Sequence, residues 1–251
     1  DADVYNREED FWKNNRLEAL NKDEKGVYQI LDTLKTVKKF KRLYNLGSIL
    51  ASGYIEFNSL PLDYGPIFST FGFNDVEGLR LRAGGRTYFG PNDLWRLEGF
   101  VAYGFRDDKF KYGISGKVLL DKKSRLTIFG GNRRDVEQIG ASLTSSTDVL
   151  GRSLASSAVI GTGANDKLTN INLTNLGFSI EPSRNFVLRL DGSYRELRSA
   201  SPTFSLDYND LDAVSGISSE VNQFETRLSA AYYPKRQMTG FGVERKEKND
   251  N

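Results

Sequence analysis

The 251-residue chain has no cysteine and no histidine. The first absence excludes disulfides, thiolate chemistry and cysteine-based zinc sites. The second removes the commonest general base and the commonest metal ligand, leaving carboxylates, lysine and tyrosine for any catalysis. No apolar run approaches the roughly 20 residues of a membrane-spanning helix. That does not touch a membrane β-barrel, whose strands are apolar only at alternate positions. Although 27% of the residues are charged, the net charge is +2, so no basic field points to nucleic acid. The chain opens on the polar DADVYNREEDFW with no signal peptide in view, which fits either a removed leader or a trimmed sequence.

Two periodicities divide the sequence. Residues 1–52 read as helical: Val27, Ile30, Leu31 and Leu34 recur at helical spacing, and Asp23 and Glu24 sit where a helix start favours anions. A basic stretch follows, TVKKFKRLYNLGSIL, with Val37, Phe40, Leu43 and Tyr44 to one side. Its run Lys35, Lys38, Lys39, Lys41 and Arg42 could rest on anionic lipid, plug a barrel or face solvent. From residue 53 to 251 the period is two. Strands are expected over Gly53–Thr70 (interrupted by Pro61 and Pro66), Leu79–Phe89, Leu94–Phe105, Lys109–Leu120, Arg125–Val136, Leu168–Glu181, Asn185–Leu197 and Val221–Tyr233, followed by MTGFGVER.

These strands are two-faced. One face carries Leu, Val, Ile, Ala and Gly. The other carries Arg80, Arg82, Arg86, Arg96, Glu98, Lys111, Arg189, Asp191, Arg195, Glu225 and Arg227. An unpaired charge buried in a dry core costs several kcal/mol, which forbids packing this face inward as a soluble core. Two arrangements satisfy the pattern: a soluble sandwich or lipocalin-like binder with the charges in water, or a membrane barrel with the charges lining the lumen. Loop lengths favour the barrel. GPND, DKKS, PSR and PKRQ fall on one side of the strand series and both long polar segments on the other, as periplasmic turns and outer loops do. Aromatics flank the strands as interface girdles would: Phe89, Trp95, Phe186 and Tyr232 beside the short turns, and Phe105, Phe110 and Tyr194 near the other ends. The expected fold is thus an all-β, antiparallel outer-membrane barrel behind a periplasmic helical segment.

The segments FWKNNRLEALNKDEKGVYQILDTLK, FKRLYNLGSILASGYI, GPIFSTFGFNDVEGLRLRAGGRT, WRLEGFVAYGFRDDKFKYG and RRDVEQIG occur in this order over most of residues 8–140. Together they resemble a Bacteroidota outer-membrane barrel family of unknown function, and the likeness returns at FETRLSAAYYPKRQ. Members of that family are longer and carry an N-terminal carboxypeptidase-regulatory-like domain. The resemblance implies a periplasmic helical segment leading into a barrel of more strands than the eight or so counted here, so the chain reads as a portion of such a protein. Two departures stand out: no regulatory-like domain precedes the helices, and ERKEKNDN is polar where barrels of this kind end on an aromatic strand. The family supplies no catalytic residues.

No reaction, cofactor or metal is expected. Asp207, Asn209, Asp210 and Asp212 could hold calcium, but Leu211 stands at a ligand position and no glycine follows. GTGANDK lacks the ending of a phosphate loop. Asp75 with Glu77, and the run RRDVE, could in principle form a glycosidase-like pair, but each has arginine beside it. The arginine row could attract anions or simply pair with carboxylates such as Glu98 on the next strand. Solute passage or structural support at the outer membrane is the expected role, with membrane lipid as partner. An accessory subunit docked on another outer-membrane protein through Ala83, Gly85, Gly99 and Gly116 is the alternative.

Overall fold

The computed structural model describes residues 37–57, 60–90, 92–138, 150, 167–201, 208–209 and 217–248. The Val27–Leu34 stripe, the acidic positions 207, 210 and 212, and residues 161–166 of GTGANDK lie outside the described residues. The chain divides into two compact units, Asp1–Ser52 and Gly53–Asn251.

In the first unit, α1 spans Lys38–Ser52. Leu43, Leu46 and Leu50 repeat at helical spacing and are each more than half exposed. Gly53, the next residue, takes the left-handed conformation (φ 75°) that commonly ends a helix.

The second unit is built on one antiparallel sheet. Its strands are β1 (Ile55–Glu56), β2 (Leu62–Tyr64), β3 (Phe71–Asn74), β4 (Gly78–Thr87), β5 (Trp95–Gly104), β6 (Lys109–Asp121), β7 (Leu126–Gln138), β8 (Leu168–Ser183), β9 (Phe186–Ser199) and β12 (Glu220–Tyr232). Two residue pairs, β10 (Tyr208–Asn209) with β11 (Ile217–Ser218) and β13 (Met238–Thr239) with β14 (Lys246–Glu247), stand apart from it. The order β1-β2-β4-β5-β6-β7-β8-β9-β12 is a meander of sequential neighbours, with β3 also on β4. Hairpin chemistry sets the corners. The Arg184–Asn185 loop joins Ser183 to its partner Phe186, and Asn185 sits at φ 63°, a conformation asparagine tolerates. Asp121 accepts from the Lys123 and Ser124 amides to fold the β6–β7 turn, which ends on Arg125 at φ 56°.

Three expectations need correcting. Gly53–Thr70 is not one strand; it breaks into β1, β2 and a 3-10 turn over Ile67–Ser69. Pro61 and Pro66 each remove a ladder donor from it. MTGFGVER does not join the sheet; only Met238 and Thr239 pair, with Glu247 and Lys246. And the sheet is open: β1 and β12 end the strand order without pairing to each other, so the architecture established is an antiparallel all-β sheet rather than a closed barrel.

The polarity of the sheet is inverted relative to a soluble domain. Along β4, Arg80 is buried (2% exposed) between Leu79 and Leu81, at 46% and 38%. Lys111 is 3% exposed between Phe110 at 72% and Tyr112 at 43%. The same alternation runs through β5, where Arg96 and Phe100 are enclosed while Leu97 and Val101 face outward, and into β12, whose Phe224 and Leu228 are the most exposed apolar residues of the sheet. Among the described residues two apolar clusters are enclosed, Ile171, Leu173 and Leu197 with Leu150, and Val76, Val136 and Leu168 with Ala200; Phe100, Ala102 and Leu119 are buried besides.

Candidate functional site

Every residue of the expected charged row lies on the enclosed face. Strand register places Arg96 beside Lys117, then Phe129, Gly177, Asp191 and Arg227 in one transverse line across β5 to β12. Arg195 shares this face with the fully buried Arg133, and Arg189, Glu225, Arg80, Arg82, Arg86, Glu98 and Lys111 complete it. Trp95, Phe110, Phe186, Tyr194 and Tyr232 lie on the opposite face, Phe186 partly covered, while Phe89 and Phe105 are exposed in the adjoining turns.

The charges are paired, largely with carboxylates that the sequence reading did not select. Arg80 grips Asp135 through both terminal nitrogens (2.5 and 3.2 Å) and reaches Glu77 at 2.8 Å. Lys111 bridges Glu77 at 3.0 Å and Asp107 at 2.6 Å. Asn74 anchors Glu77 by donating to its carboxylate and accepting its amide. Strands β4 and β7 would be about 14 Å apart in a flat sheet. The Arg80–Asp135 contact therefore requires the sheet to roll until side chains meet across its concave interior. Gly113 records the same crowding: a Cβ there would lie 2.5 Å from the Phe100 ring and 2.7 Å from Leu150.

Further along, Arg82 stacks on Phe100 (4.3 Å) and donates to Ser69 (2.5 Å). Arg86 lies over Tyr54 (3.9 Å) and pairs with Asp63 (3.0 Å). Arg133 pairs with Glu137 (2.5 Å), Arg195 and Arg227 both with Glu225 (2.7 Å each), and Arg189 with Asp191 (2.8 Å) while covering Phe129 (4.0 Å). Glu98, the expected cross-strand partner of the arginines, makes no ion pair among the described residues; it stands opposite Arg86, whose guanidinium turns to Asp63 on β2 instead. The glycosidase-like candidates are likewise occupied, Glu77 by Arg80 and Lys111, and Glu137 by Arg133. No group of three or more carboxylates is arranged to hold a metal ion among the described residues.

At the short-turn end the segment after β12 folds back across this face. Glu244 bridges Arg96 and Lys117, Arg245 meets Glu181, and Arg125 donates to the carbonyls of Phe241, Gly242 and Val243. The Val243 amide donates to the Asp93 carbonyl and the Phe241 amide to Asn92. Burial pushes the Glu244 carboxyl up, but the Lys117 hydrogen bond and the charges of Lys117, Arg96 and Arg86 outweigh it and hold the group below its ordinary 4.5. A depressed carboxyl stabilises the folded-back segment above the ordinary value, and that contribution is lost as pH falls through the lower folded value. Glu244→Gln is therefore expected to speed amide exchange at Phe241 and Val243 by about five- to tenfold at neutral pH. The native protein should show the same acceleration only below pH 4.5. Unchanged exchange in the variant would mean that other contacts hold the segment.

The fold and its paired interior thus define a rolled antiparallel sheet with an apolar exterior and an ionic interior. No known protein family, characterised protein or solved structure matches the chain.

Proposed function

We propose that this chain forms the wall of an outer-membrane β-barrel, in the manner of the Bacteroidota family it resembles, and that it serves solute passage or structural support rather than catalysis. The observation that carries this reading is the inverted sheet. Soluble monomers rarely expose a contiguous apolar face like that of β4 through β12, whereas hydrocarbon requires one.

The height of the apolar exterior supports this reading. On β5, Trp95 and Tyr103 bound it; on β9, Phe186 and Tyr194 do. Either span is nine residues, whose eight steps cover about 27 Å along a strand and about 20 Å along the normal once tilted, against a band of about 25 Å in such barrels. Aromatic clusters mark its limits: Phe89 with Trp95 (5.2 Å) at the short-turn end, and Tyr103 with Phe105 (5.2 Å) and Phe110 (4.8 Å) at the other. Beyond Tyr194 the outward positions turn polar, with Asn172, Glu196 and Asn222 in one row and Asn170, Arg198 and Glu220 in the next.

Hydrocarbon also forbids a bare strand edge, so this reading requires β12 to be paired on its outer side, either with the β1–β2 end or with further strands. A second reading, the accessory subunit, draws on register. Gly85 neighbours Gly99, and Gly116 neighbours Gly130, which opens a small-residue patch on the outward face.

Liposome swelling with sized sugars and charged solutes tests the first reading. Leak above that of empty vesicles, graded by solute size, is expected. No leak would remove passage and leave support. A lone monodisperse species in detergent would argue against the subunit reading.

A further inference from the structure

Beside the folded-back segment lies a cavity of about 440 Å³, bounded by the β6–β7 and β8–β9 turns and by Arg236, Met238 and Arg245. Six cations line it: Lys122, Lys123, Arg125, Arg184, Arg236 and Arg245. Against them stands a single carboxylate, Glu181, already bridged by Arg245. Elsewhere on the enclosed face, among the described residues, most cations have a carboxylate partner and Glu98 is a carboxylate left over; here the imbalance has the opposite sign. Neither lysine, nor Arg125, Arg184 or Arg236, has a carboxylate within 4 Å among the described residues.

Arg125 is the most telling of these. It holds a left-handed backbone conformation, which is strained for a side chain other than glycine or asparagine. Its terminal nitrogens reach only carbonyl groups, and its Nε is shielded from solvent with no hydrogen-bond partner. Burial, and next the charge of Arg245, push its guanidinium below the ordinary value, with Glu181 opposing. Like charges gathered in a recess repel, and a bound oxyanion is what relieves them.

We propose that this cavity is a binding site for a phosphorylated ligand carrying at least two negative charges. Its volume falls in the range of small-molecule sites, far more than one inorganic phosphate fills. A second cavity of about 280 Å³ shares Arg125, Glu181, Arg236, Met238 and Arg245, and adds Phe129, Val187 and Val243, so an organic body attached to the phosphate would find apolar walls. The site stands whether or not the barrel passes solutes.

The test is calorimetric titration of the full chain in neutral detergent with inorganic pyrophosphate at low salt. Lys122 and Arg184 sit in turns, exposed, and hold no other part of the fold by an ion pair. Lys122→Gln/Arg184→Gln is expected to weaken pyrophosphate binding by about tenfold or more, with unchanged circular dichroism. A second arm adds vesicles of phosphatidic acid in phosphatidylcholine. Displacement of pyrophosphate by these vesicles would assign a lipid headgroup; binding that the vesicles leave unaffected would assign a soluble phosphate. No pyrophosphate binding by the native chain, or equal affinity in the double variant, overturns the site. Because the titration needs no bilayer crossing, its failure is distinct from a negative swelling result.

Discussion

Asp135→Ala is expected to destabilise the protein by about 3–5 kcal/mol, the cost of breaking a buried ion pair from one side. Asp135 receives both terminal nitrogens of Arg80, and both side chains are all but sealed from solvent. Removing the carboxylate leaves Arg80 with Glu77 alone, and Glu77 is already shared with Lys111. Four strands meet at this network, so its loss acts on the roll of the sheet as well as on local charge. Arg80→Met should cost a similar amount. The double variant Arg80→Met/Asp135→Ala should cost clearly less than the sum, because it removes both desolvated charges together. Denaturant unfolding followed by tryptophan fluorescence provides the measurement. A loss under about 1 kcal/mol for Asp135→Ala would place the pair in the class of solvated surface bridges, and the enclosure of this face would be wrong.

How much of this was legible in the sequence follows from the range of the interactions involved. Alternation is local, so the seven long strands lie within a residue or two of where period two places them, and the division of each strand into an oily and an ionic face follows from the same alternation. The partners of the arginines were legible only in part: Asp191 and Glu225 stand in the charged row with Arg189, Arg195 and Arg227, whereas the partners of Arg80 and Arg86 do not. Arg80 and Asp135 are 55 positions apart and meet only because the sheet curls, and curvature leaves no mark on alternation. A local rule pairs Arg86 with Glu98 directly across the ladder, yet Asp63 on the far side of β4 takes it. RRDVE held a readable clue: Arg133, Asp135 and Glu137 share one face by parity, which marks them as a pairing set rather than an acid/base couple. The segment after β12 reads as one more strand, MTGFGVER, which does not join the sheet. Its alternation is weak, and the pairing of Glu244 with Arg96 depends on a chain reversal that only tertiary structure supplies.

The surroundings of the outer face are decided by Ile114→Arg. Ile114 pairs with Gly99, which lies midway between the bounding aromatics of β5, and it is 48% exposed. If hydrocarbon surrounds it, arginine at this depth should cost about 2–4 kcal/mol, whereas a position near the interface should cost about 0–1 kcal/mol. Leu120, on the same face of β6 at the short-turn end, is such a position. The expected result is therefore a gradient: Ile114→Arg strongly destabilising and Leu120→Arg nearly neutral, in unfolding measured on protein folded into vesicles. In water the ordering would vanish, because exposed substitutions fall within about 0.5 kcal/mol of each other wherever they sit along the strand. The comparison isolates depth from chemistry, since both variants place the same charge on the same face of one strand. Equal, small effects at the two positions would mean that the apolar exterior is covered by protein or faces solvent, and the membrane reading would fall with it.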